Sequence, residues 1–400
     1  MPQPRNIAFI DHTTRMGGGQ VYLLRQLSQL DRARFRPVVV CPSDGTLPGL
    51  VRQRGVEVQI IPVHPGLLDL RKEDLIRAPL SFLLNPVRFA ACVRRLAAWL
   101  RANRIDLVHL NSMKAGFYGG LAARLAGLPV VWDFKDIISA DFFPALTRRL
   151  IVLVGNTCAT RVVANSRAIR DEFIRQGGRA EKVTVIHNGV DLDQFQPSRT
   201  NGAVRTSFGL GPATPVISIF SRLDRWKGHV YFLQAAARVC RDYPDVRYLV
   251  VGETTFDDMG YTEELVRLTQ DLGLAERVQY LGFRQDVADL MAASDIIVHA
   301  SILPEPLGLT PMEAQAAGKP VVAVGAGGVL ETVVDGETGL LVPARDEHAL
   351  AEALLVLLRS PDRRSRMGQA GRARAAALFD LTMNARRVQD VYDALLSESR

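Results

Sequence analysis

The sequence predicts an α/β protein made of two doubly wound parallel sheets, one in each half of the chain. Three observations support this class: a length of 400 residues, thirteen short apolar runs separated by amphipathic stretches, and a polar stretch near the middle. A chain of this length exceeds one ordinary core, so two domains of roughly 200 residues each are expected. The hydrophobic fraction of 48% and the charged fraction of 23% are typical of globular proteins.

The apolar runs are the predicted strands. They are rich in Val and Ile and do not alternate cleanly with polar residues, as is usual for parallel strands buried on both faces. In the first half the runs are 6–11, 36–41, 57–63, 106–110, 129–134, 161–165 and 182–187, and in the second half they are 215–220, 246–252, 278–283, 295–300, 320–324 and 339–343. Amphipathic stretches such as 21–30, 230–241 and 347–359 predict the crossover helices.

The boundary between the domains is expected in the polar, Gly- and Pro-bearing stretch 191–214. This interpretation gives an N-terminal domain over 1–190, a linker over 191–214 and a C-terminal domain over 215–379. Ligands of open α/β sheets bind beyond the carboxyl ends of the strands. A substrate cleft between two facing domains is therefore predicted, with hinge closure over the substrate.

Composition argues against several classes of protein. No apolar run approaches the ~18 uncharged residues of a membrane span, and a strand follows Met1 almost directly, so we expect no signal peptide and a cytoplasmic location. The four cysteines are scattered without a CxxC pair, which predicts a reduced protein without a zinc site. Residues 1–200 carry 28 Lys and Arg against 16 Asp and Glu, which indicates an anionic partner. No nucleic-acid-binding motif accompanies this charge, so nucleic acid is not expected.

Glu305 and Glu313 lie eight positions apart around a predicted helix start. Thr310 is predicted as the N-cap and Glu313 as the third helical residue. Backbone N–H groups at such a start favour phosphate, and the two acids could bind hydroxyls on either side of a diphosphate. The residues expected to supply these N–H groups are Leu307, Gly308, Leu309 and Thr310. A capping box between Thr310 and Glu313 is the structural alternative.

Arg222 and Lys227 flank a predicted strand-to-helix loop that spans residues 221–229. Two fixed cations at this place would neutralise a diphosphate and the charge that develops on it as it leaves. Exposed loop charges are the alternative. The phosphate position predicted at 307–310 in the same domain favours the cationic role.

Several motifs that occur in one order carry a family resemblance. They are 221–229, the E-x7-E pair Glu305 and Glu313, Gly318-Lys319-Pro320-Val321-Val322, 325–331, 335–342, Asn165-Ser166 and His187-Asn188-Gly189-Val190-Asp191. Together they resemble the retaining glycosyltransferases of family 4 over essentially the whole chain, most strongly over 160–345. The resemblance implies the GT-B arrangement of two Rossmann-like domains, with a C-terminal helix over 380–400 packing back onto the N-terminal domain.

The resemblance also implies a role for each motif residue in the C-terminal domain. Arg222 and Lys227 would bind the donor diphosphate, with phosphate also received by the backbone of 307–310. Glu313 would hold the ribose hydroxyls and Glu305 the transferred sugar. The backbone of Gly282 and Phe283 would border the base. The residues on which catalysis is expected to depend are Glu305, His109, Arg222 and Lys227.

In the N-terminal domain the resemblance points to two strand ends. Gly18 and Gly19 follow the first strand and would approach the donor where a Cβ would not fit. His109 ends a predicted strand, where ligands are met. The family often has His-x-His here, whereas this chain has Asn111 at the second position, and an amide cannot take a proton at neutral pH. His109 and Asn111 are the candidate acceptor-binding residues.

The predicted function is retaining transfer of a hexosyl unit from a UDP-, GDP- or ADP-linked sugar to a glycan or lipid-linked acceptor of the cell envelope. No cofactor is expected. No metal is expected either, because Arg222 and Lys227 supply countercharge, although 191–193 has the Asp-x-Asp form of metal-dependent glycosyltransferases. The alternatives are an epimerase or phosphorylase of the same two-domain plan and a sugar-binding protein without catalysis.

Residues 71–104 form a basic segment with an apolar component. They carry eight Lys and Arg against two Asp and Glu, interleaved with leucines and aromatic residues. Such a surface suits anionic lipid, so docking on the inner face of a membrane is predicted. A solvated helix face that covers the domain core is the alternative.

Overall fold

The computed structural model describes residues 3–63, 86–197, 202–254 and 259–398. The chain divides into two compact units. The first comprises Met1–Gly189 together with Leu381–Arg400, and the second comprises Val190–Asp380. Each unit has its own parallel sheet, of seven and six strands, so the predicted doubly wound α/β class is confirmed.

The first unit alternates strands and helices. Its elements are β1 (Arg5–Ile10), α1 (Gly18–Ser28), β2 (Phe35–Cys41), α2 (Thr46–Gln53), β3 (Glu57–Ile60), α3 (Pro86–Ala102), β4 (Leu107–Leu110), α4 (Met113–Ala126), β5 (Val130–Phe134), α5 (Ala145–Cys158), β6 (Arg161–Ala164), α6 (Arg167–Arg175) and β7 (Val183–Val185). The strand order is β3-β2-β1-β4-β5-β6-β7, so the winding direction reverses between β1 and β4.

Helices cover both faces of this sheet because side chains of a strand alternate between its faces. Ala8 and Ile10 of β1 belong to a core shared with α3, α4 and α5. Ile7 and Phe9 belong to the opposite core, shared with α1 and α2. A strand buried on both faces needs apolar residues at consecutive positions, which is the pattern that predicted it.

The second unit repeats this plan. Its elements are α7 (Gly202–Ser207), β8 (Val216–Phe220), a 3₁₀ turn (Arg225–Lys227), α8 (His229–Asp242), β9 (Arg247–Val251), α9 (Met259–Asp271), β10 (Val278–Gly282), α10 (Val287–Ala293), β11 (Ile296–His299), α11 (Leu309–Ala316), β12 (Val321–Val324), α12 (Val329–Thr332), β13 (Gly339–Val342), α13 (Glu347–Arg359) and α14 (Pro361–Leu378). The order β10-β9-β8-β11-β12-β13 reverses between β8 and β11.

The chain then returns to the first unit as α15 (Leu381–Glu398). Val388, Tyr392 and Leu395 of this helix lie in the core with Ile7 and Phe9. A Cβ at Gly189 would collide with the backbone of Leu381, so the start of the helix lies close against the end of the first segment.

Each of the thirteen strands coincides with one of the thirteen predicted runs, and only β1 and β2 extend beyond theirs, each beginning one residue earlier. Helix α1 begins at Gly18, three residues before the amphipathic stretch 21–30 that predicts it. Residues 191–197 and 202–214 lie in the second unit, where Phe195 and Leu210 are buried in its core. None of the helices in the described part of the chain combines the length and apolar character needed to cross a bilayer.

Candidate active site

At the carboxyl edge of the second sheet, glycines bring the loops after β8, β9 and β11 into close contact. Gly228 has a φ of 76°, and a Cβ there would collide with the carbonyl group of Ala300. Gly252 has a φ of 140°, and a Cβ there would collide with the carbonyl group of Ser221. These contacts hold the loops together where the winding reverses, the place at which open α/β sheets bind ligands.

Lys227 and Glu305 form an ion pair at this reversal point. Their side chains are 13% and 9% exposed, so the pair is nearly removed from water. The Ser301 hydroxyl donates to the same Glu305 oxygen, Oε1, at 2.6 Å. The Lys227 Nζ also lies 4.0 Å from the ring centroid of Trp226, in a cation–π contact.

Burial by itself would raise the pKa of Glu305, but the charges of Lys227 and His299, with hydrogen bonds from Lys227 and Ser301, lower it to about 2. The His299 Nε2 lies 3.6 Å from Glu305 Oε1. Burial, assisted by Lys227 and opposed by Glu305, lowers the pKa of His299 to about 4. At neutral pH the site therefore holds an ionised Glu305 beside a neutral imidazole.

Arg222 follows β8 by two residues and differs from Lys227 in its access to solvent. Its side chain is 53% exposed and pairs with Asp224 at 2.8 Å. The Arg222 guanidinium is therefore accessible to solvent, whereas the Lys227 ammonium is nearly buried.

Helix α11 starts beside these cations, but with a different cap from the one predicted. Gly308, with a φ of 86°, is the N-cap, and Leu309 is the first helical residue. The Thr310 hydroxyl donates to the carbonyl oxygen of Phe220 at 2.9 Å. The prediction of Thr310 as N-cap is therefore wrong, and with it the capping box, because this hydroxyl ties the helix to β8. Glu313 is consequently the fifth helical residue instead of the third.

Two further glycines fix the backbone of Glu305. Glu305 forms a parallel bridge with Gly327, and the N–H of Gly328 donates to the carbonyl oxygen of Glu305 at 2.8 Å. A Cβ at Gly328 would collide with the carbonyl oxygen of Pro306. The motif glycines thus let the loop after β12 lie against the segment that carries Glu305 and the buried Leu307.

Gly282 and Phe283 follow β10 at the same edge of the sheet. Gly282 has a φ of 63°, and its carbonyl oxygen accepts the N–H of Gly252 at 2.9 Å. Phe283 is 63% exposed, which leaves its ring open to a planar partner.

In the first unit the carboxyl ends of β1, β4 and β5 also bring polar side chains together. The Asn111 amide donates to Asp11 at 2.5 Å and accepts from the Lys135 ammonium at 2.5 Å. A Cβ at Gly19 would lie 3.5 Å from the Lys135 side chain. The start of α1, with Gly18 and Gly19, therefore borders Lys135.

His109 is fully buried in this edge. Its Nδ1 lies 2.8 Å from the Tyr392 hydroxyl, and its Nε2 lies 3.5 Å from Asp133, which also pairs with Lys135 at 2.7 Å. Burial lowers the pKa of His109 against the opposing effect of Asp133. The structure thus brings His109 and Asn111 to the predicted edge but engages both within the protein, and their contact with an acceptor stays a prediction.

Sequence comparison decides the family. The glycosyltransferase family 4 model matches residues 16–194, and the model for glycosyl transferases group 1 matches residues 204–374. The D-inositol 3-phosphate glycosyltransferase of Streptomyces scabiei is 30% identical over an alignment covering 100% of this chain and 93% of the relative. This chain belongs to glycosyltransferase family 4.

Solved structures agree with that membership. HepE of Anabaena, crystallised with UDP and glucose, is 31% identical, with a TM-score of 0.84 over 98% of this chain and 100% of HepE. Sucrose-phosphate synthase of Thermosynechococcus elongatus shares the fold at 23% identity, with a TM-score of 0.81 over 98% of this chain and all of that one. These structures confirm the two predicted Rossmann-like domains, and glycosyltransferase activity follows from the family membership.

Sequence reasoning missed several polar residues at the two edges of this glycosyltransferase. Asp133 and His299 lie in the last two residues of buried strands and Lys135 directly follows one, so the strand-end rule that selected His109 applies to them equally. Tyr392 had no local signal, because it reaches His109 from 283 positions away.

Two other places bear on the predicted chemistry. Asp191 accepts the N–H groups of Asp193 and Gln194 at 3.0 and 2.9 Å, so its carboxylate closes a turn. Within the described residues, no group of three or more His, Cys, Asp or Glu is placed to hold a metal ion. An open depression of about 480 Å³ lies against α14, lined by Gly336, Glu337, Arg363, Arg366, Met367 and Ala370, none of which was predicted as a site residue.

Proposed function

We propose that this glycosyltransferase moves a hexosyl unit from a nucleotide-diphosphate sugar to an acceptor hydroxyl with retention of anomeric configuration. The observation that carries the proposal is the Lys227–Glu305 pair at the reversal point of the second sheet. The half-exposed Arg222 lies on the same loop as Lys227, and Thr310, in the first turn of α11, bonds the last residue of β8, directly before that loop.

The cations are proposed to act on the diphosphate. As the sugar–phosphate bond breaks, negative charge develops on the departing phosphate, and positive groups fixed beforehand stabilise it. Arg222 offers a planar fork of donors, and Lys227 a point charge with three donors. The N–H groups at 307–310 add the positive end of the α11 dipole.

The carboxylates are proposed to bind hydroxyls. Glu305, with a pKa of about 2, is ionised and accepts hydrogen bonds from the transferred sugar. The same low pKa makes it a weak base and a weak nucleophile. Glu313 is proposed to hold the ribose, and the exposed Phe283 with Gly282 to border the base.

Retention is proposed to arise without a protein nucleophile. The departing phosphate oxygen would take the proton of the acceptor hydroxyl on the face of the sugar that it leaves. The bond from the anomeric carbon to the phosphate oxygen then breaks, and the bond to the acceptor oxygen forms, on the same face. Positioning and charge stabilisation then supply the rate enhancement. Nuclear magnetic resonance of the first product formed would show the same anomer as the donor, and an inverted product would overturn the proposal.

The first unit is proposed to bind the acceptor and to approach the donor through Gly18 and Gly19. Because His109 is fully buried and bonded to Tyr392, its proposed role is to hold Asp133 and Lys135 in place. Asn111 holds Lys135 from the other side. A lipid-linked or glycan acceptor of the cell envelope at the cytoplasmic face is the proposed context.

Donor identity is testable with ligand-induced stabilisation, because a ligand bound only by the folded protein raises its melting temperature. UDP-glucose leads the panel because HepE was also crystallised in complex with UDP-glucose, in a structure 30% identical to this chain over 97% of its length. GDP- and ADP-linked sugars complete the panel. The Glu313→Ala variant should lose the shift, and Glu276→Ala, an exposed glutamate on a turn, should keep it. A panel without any shift would overturn the proposed donor site.

Turnover then separates a transferase from an epimerase. A transferase releases nucleotide diphosphate only with an acceptor present, and D-inositol 3-phosphate is a reasonable first acceptor because relatives at 30% identity are named for it. We propose that activity persists in excess EDTA, since Arg222 and Lys227 provide the phosphate countercharge. Complete loss that Mg²⁺ or Mn²⁺ restores would contradict this.

A further inference from the structure

Three helices of the first unit, α3, α4 and α5, form one layer on the sheet. Helix α4 packs between α3 and α5, and all three contribute to the same core. Their residues include eight Lys and Arg and no Asp or Glu. The basic residues are Arg88, Arg94, Arg95, Arg101, Lys114, Arg124, Arg148 and Arg149. This layer, the α3–α5 face, is therefore entirely cationic in its charged residues.

The same face concentrates exposed apolar side chains. In the described part of the first unit, every exposed large hydrophobic residue lies on these helices, and they are Val87, Leu125, Leu146, Leu150 and Leu153. The three leucines of α5 recur at i, i+4 and i+7, so they line one stripe, at 53%, 36% and 56% exposure. Scattered exposed leucines need no explanation, but a collected stripe on one face does.

Arginines lie among these leucines. Arg101 donates to the carbonyl oxygen of Leu125, and Arg124 donates to the carbonyl oxygen of Thr157 at 2.5 Å. These bonds tie α3 to α4 and α4 to α5. Trp99, Phe117 and Leu121 fill the layer beneath as half-buried side chains. Basic and apolar groups are thus interleaved across the whole layer.

We infer that the α3–α5 face docks on an anionic lipid bilayer. Leucine side chains enter the boundary between headgroups and acyl chains, while arginines pair with lipid phosphates, which is how basic amphipathic helices bind membranes. A second copy of this chain fits poorly, because a symmetric contact would bring two cationic layers together. Nucleic acid would satisfy the arginines but not the leucines.

This surface does not depend on the proposed donor or acceptor. It also differs from the predicted basic segment 71–104. The structure describes residues 86–104 of that segment, and of these only α3 belongs to the face. Residues 71–85 lie outside the described residues, and nothing in the inference uses them.

Flotation of the full chain with lipid vesicles tests the inference. The chain should float with vesicles of phosphatidylcholine mixed with phosphatidylglycerol, remain unbound with phosphatidylcholine alone, and dissociate as salt is raised. Two variants separate the components. Leu146→Gln/Leu150→Gln/Leu153→Gln should weaken partitioning at least about tenfold, and Arg94→Glu/Arg149→Glu, which reverses two charges, should weaken it at least about thirtyfold.

The matched control lies on α9 of the second unit. Val266→Gln/Arg267→Glu changes an exposed hydrophobic residue, 37% exposed, and an exposed arginine, and should float like the unmodified chain. Circular dichroism and the melting temperature establish that each variant is folded. Flotation that ignores anionic lipid, or that survives in either folded face variant, would overturn the inference. So would random-sequence RNA that displaces the vesicles and still binds the leucine variant, because the partner would then be nucleic acid.

Discussion

Each of the two units carries a buried set of one lysine, one carboxylate and one histidine at the carboxyl edge of its sheet. In the first unit, Lys135 and His109 approach one oxygen of Asp133, at 2.7 and 3.5 Å. In the second, Lys227 pairs with Glu305 Oε1, and the His299 Nε2 lies 3.6 Å from that oxygen. We call these sets the first triple (Lys135, Asp133, His109) and the second triple (Lys227, Glu305, His299).

The surroundings of the triples differ. In the first triple, Tyr392 forms a hydrogen bond with His109, and Asn111 accepts a hydrogen bond from Lys135, so both basic residues are engaged within the protein. The second lies beside the half-exposed Arg222 and the start of α11. Each edge brings a lysine, a carboxylate and a histidine together, and we expect the neighbours to decide whether that charge stabilises the fold or contacts a ligand.

The largest effects are expected on exchanging the two lysines for methionine. Lys135→Met and Lys227→Met each leave a buried carboxylate without its cation, which should cost about 3–5 kcal/mol of the free energy of unfolding. Only Lys227→Met should also abolish donor-induced stabilisation. Scanning calorimetry with and without UDP-glucose measures both quantities. The contrast between the triples would fail if Lys135→Met lost donor binding equally.

Arg222 sharpens the contrast from the solvent side. Because it is half-exposed, Arg222→Ala should change stability by less than about 1 kcal/mol. Loss of its charge on the departing diphosphate should lower kcat about a hundredfold or more. Arg225→Ala is the matched control, since Arg225 is an exposed arginine of the same loop that pairs with Glu264. Equal kcat losses in both variants would indicate a general disturbance of the loop.

A pH titration addresses His299. Its pKa lies at about 4 in the folded chain against an ordinary 6.5, so on acidification the unfolded state takes up the proton first. The stability that His299 contributes is complete above 6.5 and declines as the pH falls toward about 4. The corresponding decline for Glu305 runs from 4.5 toward about 2.

Asparagine does not titrate, so between neutral pH and pH 4 the His299→Asn variant should lose about 3 kcal/mol less of its free energy of unfolding than the unmodified chain. Denaturant unfolding across that range measures it. His348→Asn is the control, because the His348 side chain is 66% exposed. An unchanged pH slope in His299→Asn would show that this imidazole titrates alike in the folded and unfolded chain.

The smallest effect is expected on removal of the Tyr392 hydroxyl, which bonds His109 of the first triple. Tyr392→Phe removes the hydroxyl that bonds His109 and should cost about 1 kcal/mol of stability. Tyr248→Phe offers a comparison in the second unit, where a buried hydroxyl makes a longer bond of 3.3 Å to Ala236. A large fall in kcat with Tyr392→Phe at unchanged stability would place His109 at the reacting sugar after all.

The strands were predictable because a strand buried on both faces has a local signature, and each apolar run marks one strand from β1 to β13 to within one residue at its start. The cap of α11 was not predictable from local preference. Thr310 is a favoured N-cap residue, yet its hydroxyl bonds the carbonyl oxygen of Phe220, 90 positions away. A tertiary hydrogen bond therefore replaced the local one.

The candidate site follows the same division. Arg222, Lys227 and Glu305 could be predicted as site residues because their motifs are local, and the structure brings Lys227 to Glu305 across 78 positions. The burial of His109 depends on Tyr392, which no pattern near residue 109 reveals. Residue types and spacing do not indicate which side chains the fold brings into contact, such as Asp133 and Lys135 near His109.

The position of α15 has a consequence for synthesis of the chain. Val388, Tyr392 and Leu395 of this helix complete a core whose other buried residues all lie between Ile7 and Ile186 in the sequence. Domains generally fold in order as they leave the ribosome. Here the first unit lacks part of its interior until α15, which follows the whole second unit along the chain, has been synthesised, so the second unit can mature while the first still awaits this helix.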